Sequence, residues 1–255
     1  MVSTTAMYVA EFFGTMILVW LGDGVVANVL LPNSKGTALS KGSQWIVIAT
    51  GWGLAVAMAV YITGWISGAH INPAVSFGLA AIGSFKWSLV PGYVVAQIAG
   101  AFVGALLVYL TYLGHYQVAD ELAAKGEFDP VLIKATFCTV PQYRDLAKNF
   151  LTEVLGTAML LIGVVGITNS HNNIGALGAL VIGFLVWSIG LSLGGPTGYA
   201  INPARDLGPR LFYAVAPIKN KVDVDWTYGI LVPVIATIIG GIIGAWAVHI
   251  VVSMA

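Results

Sequence analysis

Apolar residues fall along this chain in long blocks, separated by short polar breaks. A bilayer core about 30 Å thick is crossed by roughly 20 apolar residues in a helix. Six blocks reach that length, at 8–31, 45–65, 88–113, 150–168, 176–195 and 228–252. Two more apolar blocks are too short to cross. They are INPAVSFGLAAIG at 71–83 and INPARDLGPRLFYAVA at 201–216. The pattern predicts re-entrant half-helices, which are tolerated at membrane depth only when buried in protein or lining water.

The blocks also repeat. Glu11 lies in AEFFGTMILVWLG and Glu153 in TEVLGTAMLLIGVVG. AQIAGAFVGALLVY aligns with ATIIGGIIGAWAVH, so Gly100 and Gly104 fall on Gly240 and Gly244. Each half reads helix, helix, half-helix, helix. Three crossings per half is an odd number, so the halves must insert with opposite orientation. Such inverted repeats put their functional site near the midplane, between the repeats. The chain therefore reads as a single membrane unit, 1–255. Its repeats span about 1–113 and 150–255, with a polar linker at 114–149.

Composition agrees. The chain is 58% hydrophobic and 9% charged, against roughly 25% charged residues in a soluble domain. This predicts an all-α integral membrane protein in contact with the lipid bilayer. The formal net charge of zero gives no reason to expect a nucleic-acid partner. One cysteine, Cys138, excludes an internal disulfide and a cysteine-based metal site. His115, His171 and His249 lack metal-ligand spacing, so neither a metal nor another cofactor is expected. No secretory signal pattern stands at the N-terminus. No nucleophile–base arrangement supports an enzyme.

The tripeptide Asn-Pro-Ala occurs at 72–74 and again at 202–204. Asn is a favoured N-cap, because its side-chain oxygen accepts from a free N–H of the first turn. Pro suits the next position, where its missing N–H costs nothing. Asn72, Pro73 and Ala74, and likewise Asn202, Pro203 and Ala204, therefore signal helix starts. In inverted halves these starts meet near the midplane, with both positive dipole ends at one place. That arrangement accepts a hydrogen-bonded neutral solute and repels cations and protons.

With these motifs the chain resembles the aquaporin family, and within it the glycerol facilitators, or aquaglyceroporins. The resemblance runs over nearly the whole chain and is strongest in GWGLAVAMAVYITGWISGAHINPAVSF and GPTGYAINPARDLGPRLF. It implies six transmembrane helices and two half-helices in a right-handed bundle, one pore per subunit, a homotetramer, and facilitated diffusion without an energy source. It maps a selectivity filter onto Trp52, Gly190, Tyr199 and Arg205. Trp52 would give an apolar wall for the carbon side of a polyol. Gly190 would leave space that a water-only channel fills with histidine. Arg205 would donate to solute hydroxyls; the alternative is an ion pair with adjacent Asp206. Glycerol facilitators commonly carry Phe where this chain has Tyr199, and the hydroxyl makes the filter more polar and tighter. Asp206 after Asn-Pro-Ala-Arg marks the polyol branch, as a loop brace rather than a solute contact. Tyr109, Arg210, Pro233 and Val234 match other positions of that branch.

Glu11 and Glu153 would brace the backbone leading into each half-helix; a proton relay is the other reading of intramembrane acids. His70 would line the cytoplasmic half of the pore, or else be a hydrogen-bonded core histidine. The four GxxxG glycines let helices cross closely inside the subunit. Cys138 reads as an inert loop thiol near the outer mouth. Asp23 has no sequence-level role.

By resemblance both termini lie in the cytoplasm and the chain sits in the plasma membrane. Lys86 is then the lone cation of the cytoplasmic loops. Lys35, Lys41, Lys125, Lys134, Arg144, Lys148, Lys219 and Lys221 lie outside. This opposes the usual excess of Lys and Arg inside. The expected function is a passive channel for glycerol and similar small neutral solutes, with some water. The alternatives are the same fold serving mainly water or undissociated lactic acid, and an inverted-repeat secondary transporter.

Overall fold

A computed structural model of the chain describes residues 2–39 and 44–254; Lys41, one of the expected outer cations, lies outside these residues. In chain order the helices are α1 (Thr4–Leu30), α2 (Lys35–Leu39), α3 (Gln44–Ser67), α4 (Pro73–Ala81), α5 (Val90–Thr111), α6 (Leu113–Ala124) and α7 (Pro130–Ala135). They continue as α8 (Leu146–Ile167), α9 (Gly178–Leu193), α10 (Pro203–Val215), α11 (Trp226–Ile230) and α12 (Thr237–Val252). Among the described residues there is no strand.

Six stretches are long and apolar enough to cross a membrane. They are α1, α3, α5 with its lead-in turn, α8, α9 with its lead-in turn, and Trp226–Val252. The last joins α11 to α12 through a π-helical turn at Leu231–Ala236. Pro233 lies in that turn; it has no N–H to donate, which favours the looser winding. The expected spans and both half-helices, α4 and α10, therefore appear within a few residues of their sequence boundaries.

The linker differs from its reading as a polar loop. α6 follows α5 after a single break at Tyr112, and α7 comes soon after. Leu113–Ala124 holds good helix formers, and its Tyr116 and Ala119 are buried. Tyr116 stacks on Phe137 with ring centroids 5.1 Å apart. Burial of one face overrides the segment's polar composition.

Close helix crossings hold each half together. A Cβ on Gly100 or Gly104 would collide with the carbonyl of Phe12 or Met16 on α1. On Gly240 or Gly244 it would collide with the carbonyl of Val154 or Ala158 on α8. The GxxxG pairs thus act inside the chain and in matching positions of the two halves. The half-helices cross over: α4 packs on α12, and α10 packs on α5. Each re-entrant segment leans on the last span of the other half, which brings both helix starts to one place.

Candidate functional site

Both half-helices begin as their sequences dictate. The Asn72 side chain accepts from the Ala74 N–H at 2.8 Å. That of Asn202 accepts from Ala204 at 3.0 Å and from Arg205 at 3.2 Å. Each amide also donates across the repeat axis. Asn72 Nδ2 reaches the Ile201 carbonyl at 2.8 Å, and Asn202 Nδ2 reaches that of Ile71 at 2.9 Å. An amide has two N–H donors, so one remains on each Asn beyond this cross-bond.

The segments leading into the half-helices are strained in the same way. Gly68, Ala69 and Ile71 have φ of +84°, +46° and +44°. Gly198, Tyr199 and Ile201 have +81°, +39° and +41°. Each non-glycine residue in this region costs about 1–3 kcal/mol. The buried carboxylates offset that cost. Glu11 accepts from Ser67 Oγ (2.7 Å), the His70 N–H (2.9 Å), the Ile71 N–H (2.6 Å) and Gln97 Nε2 (2.7 Å). Glu153 accepts from Thr197 Oγ1 (2.6 Å), the Ala200 N–H (2.9 Å) and the Ile201 N–H (2.8 Å). Hydrogen bonds to charged groups contribute about 1.5–3 kcal/mol each, enough to hold the strain. With donors on every side, both carboxylates act as acceptors. That is the geometry of a brace on the backbone leading into each half-helix. Tyr93 adds a bond to the Ser67 carbonyl at 2.7 Å.

A cavity of about 300 Å³ runs past these segments. Asn72, Asn202, His70 and residues of the strained segments line it, together with apolar residues that include Leu18, Val56, Val60, Val75, Leu160 and Val186. His70 both lines the cavity and is hydrogen-bonded, with Nδ1 3.0 Å from Ser76 Oγ. Trp52, Tyr199 and Arg205 also line the cavity. The Arg205 guanidinium lies over the Trp52 ring at 4.2 Å.

Gly190 does not line the cavity. A Cβ there would sit 2.7 Å from Tyr199 Cζ, so the room left by Gly190 holds the Tyr199 ring rather than solute. Trp45, which sequence reasoning missed, fixes this pair. Its Nε1 donates to the Gly190 carbonyl at 3.0 Å, and its ring meets Tyr199 edge-on at 5.8 Å. Trp45 lies two helical turns before Trp52, on the same face of α3, and that spacing was the signal.

Arg205 makes no ion pair with Asp206, because the two side chains diverge. Asp206 accepts from Arg210 Nε at 2.7 Å and from Thr139 N and Oγ1 at 2.8 and 2.6 Å. Arg210 in turn donates to the carbonyls of Thr139 and Val224. Asp206 is thus a brace that ties α10 to the loop at Thr139. Arg205 instead has Asp23 of α1 as its ionic partner, 3.7 Å away. Cys138, next to Thr139, is fully buried, and burial pushes its thiol up to about 12; a thiol this far from ionisation is a poor nucleophile. Among the described residues no group of His, Cys, Asp and Glu is placed to hold a metal.

Buried polar atoms without a hydrogen-bond partner include Trp52 Nε1, the Tyr199 hydroxyl, Arg205 Nη1 and Asp23 Oδ2. Leaving one such atom unpaired costs about 1–3 kcal/mol. Several together mark this as the part of the site where the fold leaves polar groups unsatisfied.

Comparison with known proteins places this geometry. The chain is 60% identical over 240 residues to a probable glycerol uptake facilitator protein of Thermotoga maritima, covering 94% of this chain and 97% of that one. It is 47% identical over 235 residues to glycerol uptake facilitator protein 3 of Lactiplantibacillus plantarum, covering 92% of each. The crystal structure of the aquaglyceroporin from Plasmodium falciparum superposes with a TM-score of 0.82 at 30% identity, over 99% of this chain and all of that one. The profile of the major intrinsic protein family matches residues 1–248. With both strained segments, both capped half-helices and the shared cavity in place, the chain belongs to the major intrinsic protein family.

Proposed function

We propose that this protein is a passive channel for glycerol and other small neutral solutes, with some water passing as well. The observation that carries the reading is the mixed lining of the cavity, where apolar side chains meet Asn72, Asn202, the strained segments, Trp52, Tyr199 and Arg205. A polyol carries the same two kinds of group. Its carbons lie against Trp52 and the Tyr199 ring, while its hydroxyls bond Arg205 and the carbonyls of the strained segments. It then passes the spare N–H groups of Asn72 and Asn202 in single file and leaves past His70. The paired dipoles of α4 and α10, with Arg205, oppose cations and protons. Relatives described as glycerol uptake facilitators support the solute class.

The same reading makes the protein a plasma-membrane homotetramer with one pore per subunit and both termini in the cytoplasm. The apolar side chains exposed on the outside of the spans suit lipid and neighbouring subunits alike. Cross-linking in native membranes tests the tetramer, and protease access to tagged termini tests the orientation.

Stopped-flow light scattering on proteoliposomes tests the function, with water, glycerol and lactic acid compared at two pH values. Fast glycerol uptake with little pH dependence is expected. Poor glycerol uptake, with lactic acid flux rising at low pH, would overturn the solute and leave the channel.

A further inference from the structure

Asp23 is the one acid of the spans that the pore account leaves unused. It follows Gly22, where even a Cβ would collide with the Trp52 ring. Its side chain is buried and does not line the cavity, whereas Trp52 and Arg205 do. Asp23 Oδ1 lies 3.7 Å from Arg205 Nη1. That is too long for a direct hydrogen bond but close enough for an ion pair. Neither Asp23 Oδ2 nor Arg205 Nη1 has a hydrogen-bond partner in the protein. The guanidinium therefore has two neighbours, the Trp52 ring at 4.2 Å and the Asp23 carboxylate at 3.7 Å. Asp206, next along the chain, bonds Arg210 and Thr139 instead. This leaves Asp23 as the partner that offsets the charge on Arg205. A guanidinium offset in this way keeps its N–H donors while its pull on an anion is weakened.

We propose that Asp23 is a positioning residue that determines specificity. From beside the constriction it aims the Arg205 guanidinium across the Trp52 face and offsets part of its charge. The outer constriction then favours neutral polyols and gives small anions less advantage. The proposal rests on the reading of Arg205 as a filter residue, and its test separates the two.

Proteoliposomes carrying wild type, Asp23→Asn, Asp23→Val, Arg205→Val or the double variant Asp23→Asn with Arg205→Val are compared. The readouts are glycerol uptake, water flux and potassium methanesulfonate uptake, with valinomycin supplying the potassium path. Methanesulfonate stays anionic near neutral pH, so no neutral form crosses the lipid. Asp23→Asn is isosteric and Asp23→Val is apolar and of comparable volume; the two cover a failure of either to insert. Removing the countercharge is expected to raise the anion-to-glycerol ratio about tenfold. In the Arg205→Val background the same change is expected to be silent, because Asp23 acts through Arg205. A purely structural role would give the same effect in both backgrounds, and that result overturns the proposal. So does an unchanged anion-to-glycerol ratio in both Asp23 variants while Arg205→Val alters selection between glycerol and water. If Arg205→Val leaves that selection unchanged, the filter reading itself falls.

Discussion

Tyr199 combines two features that pull against each other. Its ring fills the room beside Gly190, and its hydroxyl has no partner in the protein. A buried hydroxyl without a partner holds water or a solute hydroxyl more tightly than a bare ring does. Tyr199→Phe is therefore expected to raise glycerol flux relative to water. Stopped-flow rates for the two in the same vesicles measure it, and an unchanged ratio removes the hydroxyl from the selection mechanism. At this scale the motif-borne residues were legible. Asn72 and Asn202 lie in the paired tripeptides, Arg205 directly follows the second, and Trp52 stands at fixed spacing from them. Asp23 and Thr139 were not, because their partners are Arg205 and Asp206, brought close only by folding. Nothing local in LGDGVV or ATFCTVPQY marks such a contact.

At the scale of the element, the periodic apolar blocks and helix-start signals gave the spans and half-helices nearly to their ends. α6 and α7 escaped, because burial of Tyr116 and Ile133, rather than composition, decides that stretch. The GxxxG pairs were legible as close crossings, and the structure adds which helix meets each. Gly244 touches the backbone of Ala158 on α8. Gly244→Val forces α12 and α8 apart, and overpacking of this kind costs about 1–3 kcal/mol. A lower melting temperature of the detergent-solubilised protein is expected. Because α4 also packs on α12, glycerol flux per molecule should fall with it. A full-rate channel that merely melts earlier would separate the crossing from the pore.

For the whole molecule, the distribution of charge is the main economy. Of 11 acidic residues, Glu11, Asp23, Glu153 and Asp206 are buried within the bundle. Each has a bonding or ionic partner there. Other acids lie on the loops, where they meet the cations of the same face. Arg144 makes a two-pronged pair with Asp225, both contacts at 2.8 Å, and holds that carboxyl near 2, below its ordinary 3.8. A depressed carboxyl stabilises the fold above its ordinary value, and the contribution is lost as pH falls toward 2. Arg144 is 53% exposed, so screening keeps the effect under about 1 kcal/mol. Hydrogen exchange around 222–228, corrected for intrinsic rates, is expected to show protection at pH 5 that weakens toward pH 2. In Arg144→Ala the protection should be weak throughout.

The reciprocal bonds of the two asparagines bear on how the chain is made. Asn72 closes on Ile201, and Asn202 closes on Ile71. The first half leaves the ribosome long before either contact can form. Its re-entrant segment must wait, amide unpaired, beside the translocon until the second half follows. The pore is therefore absent from a nascent chain until residue 202 has been synthesised, and a protein interrupted before that point cannot leak.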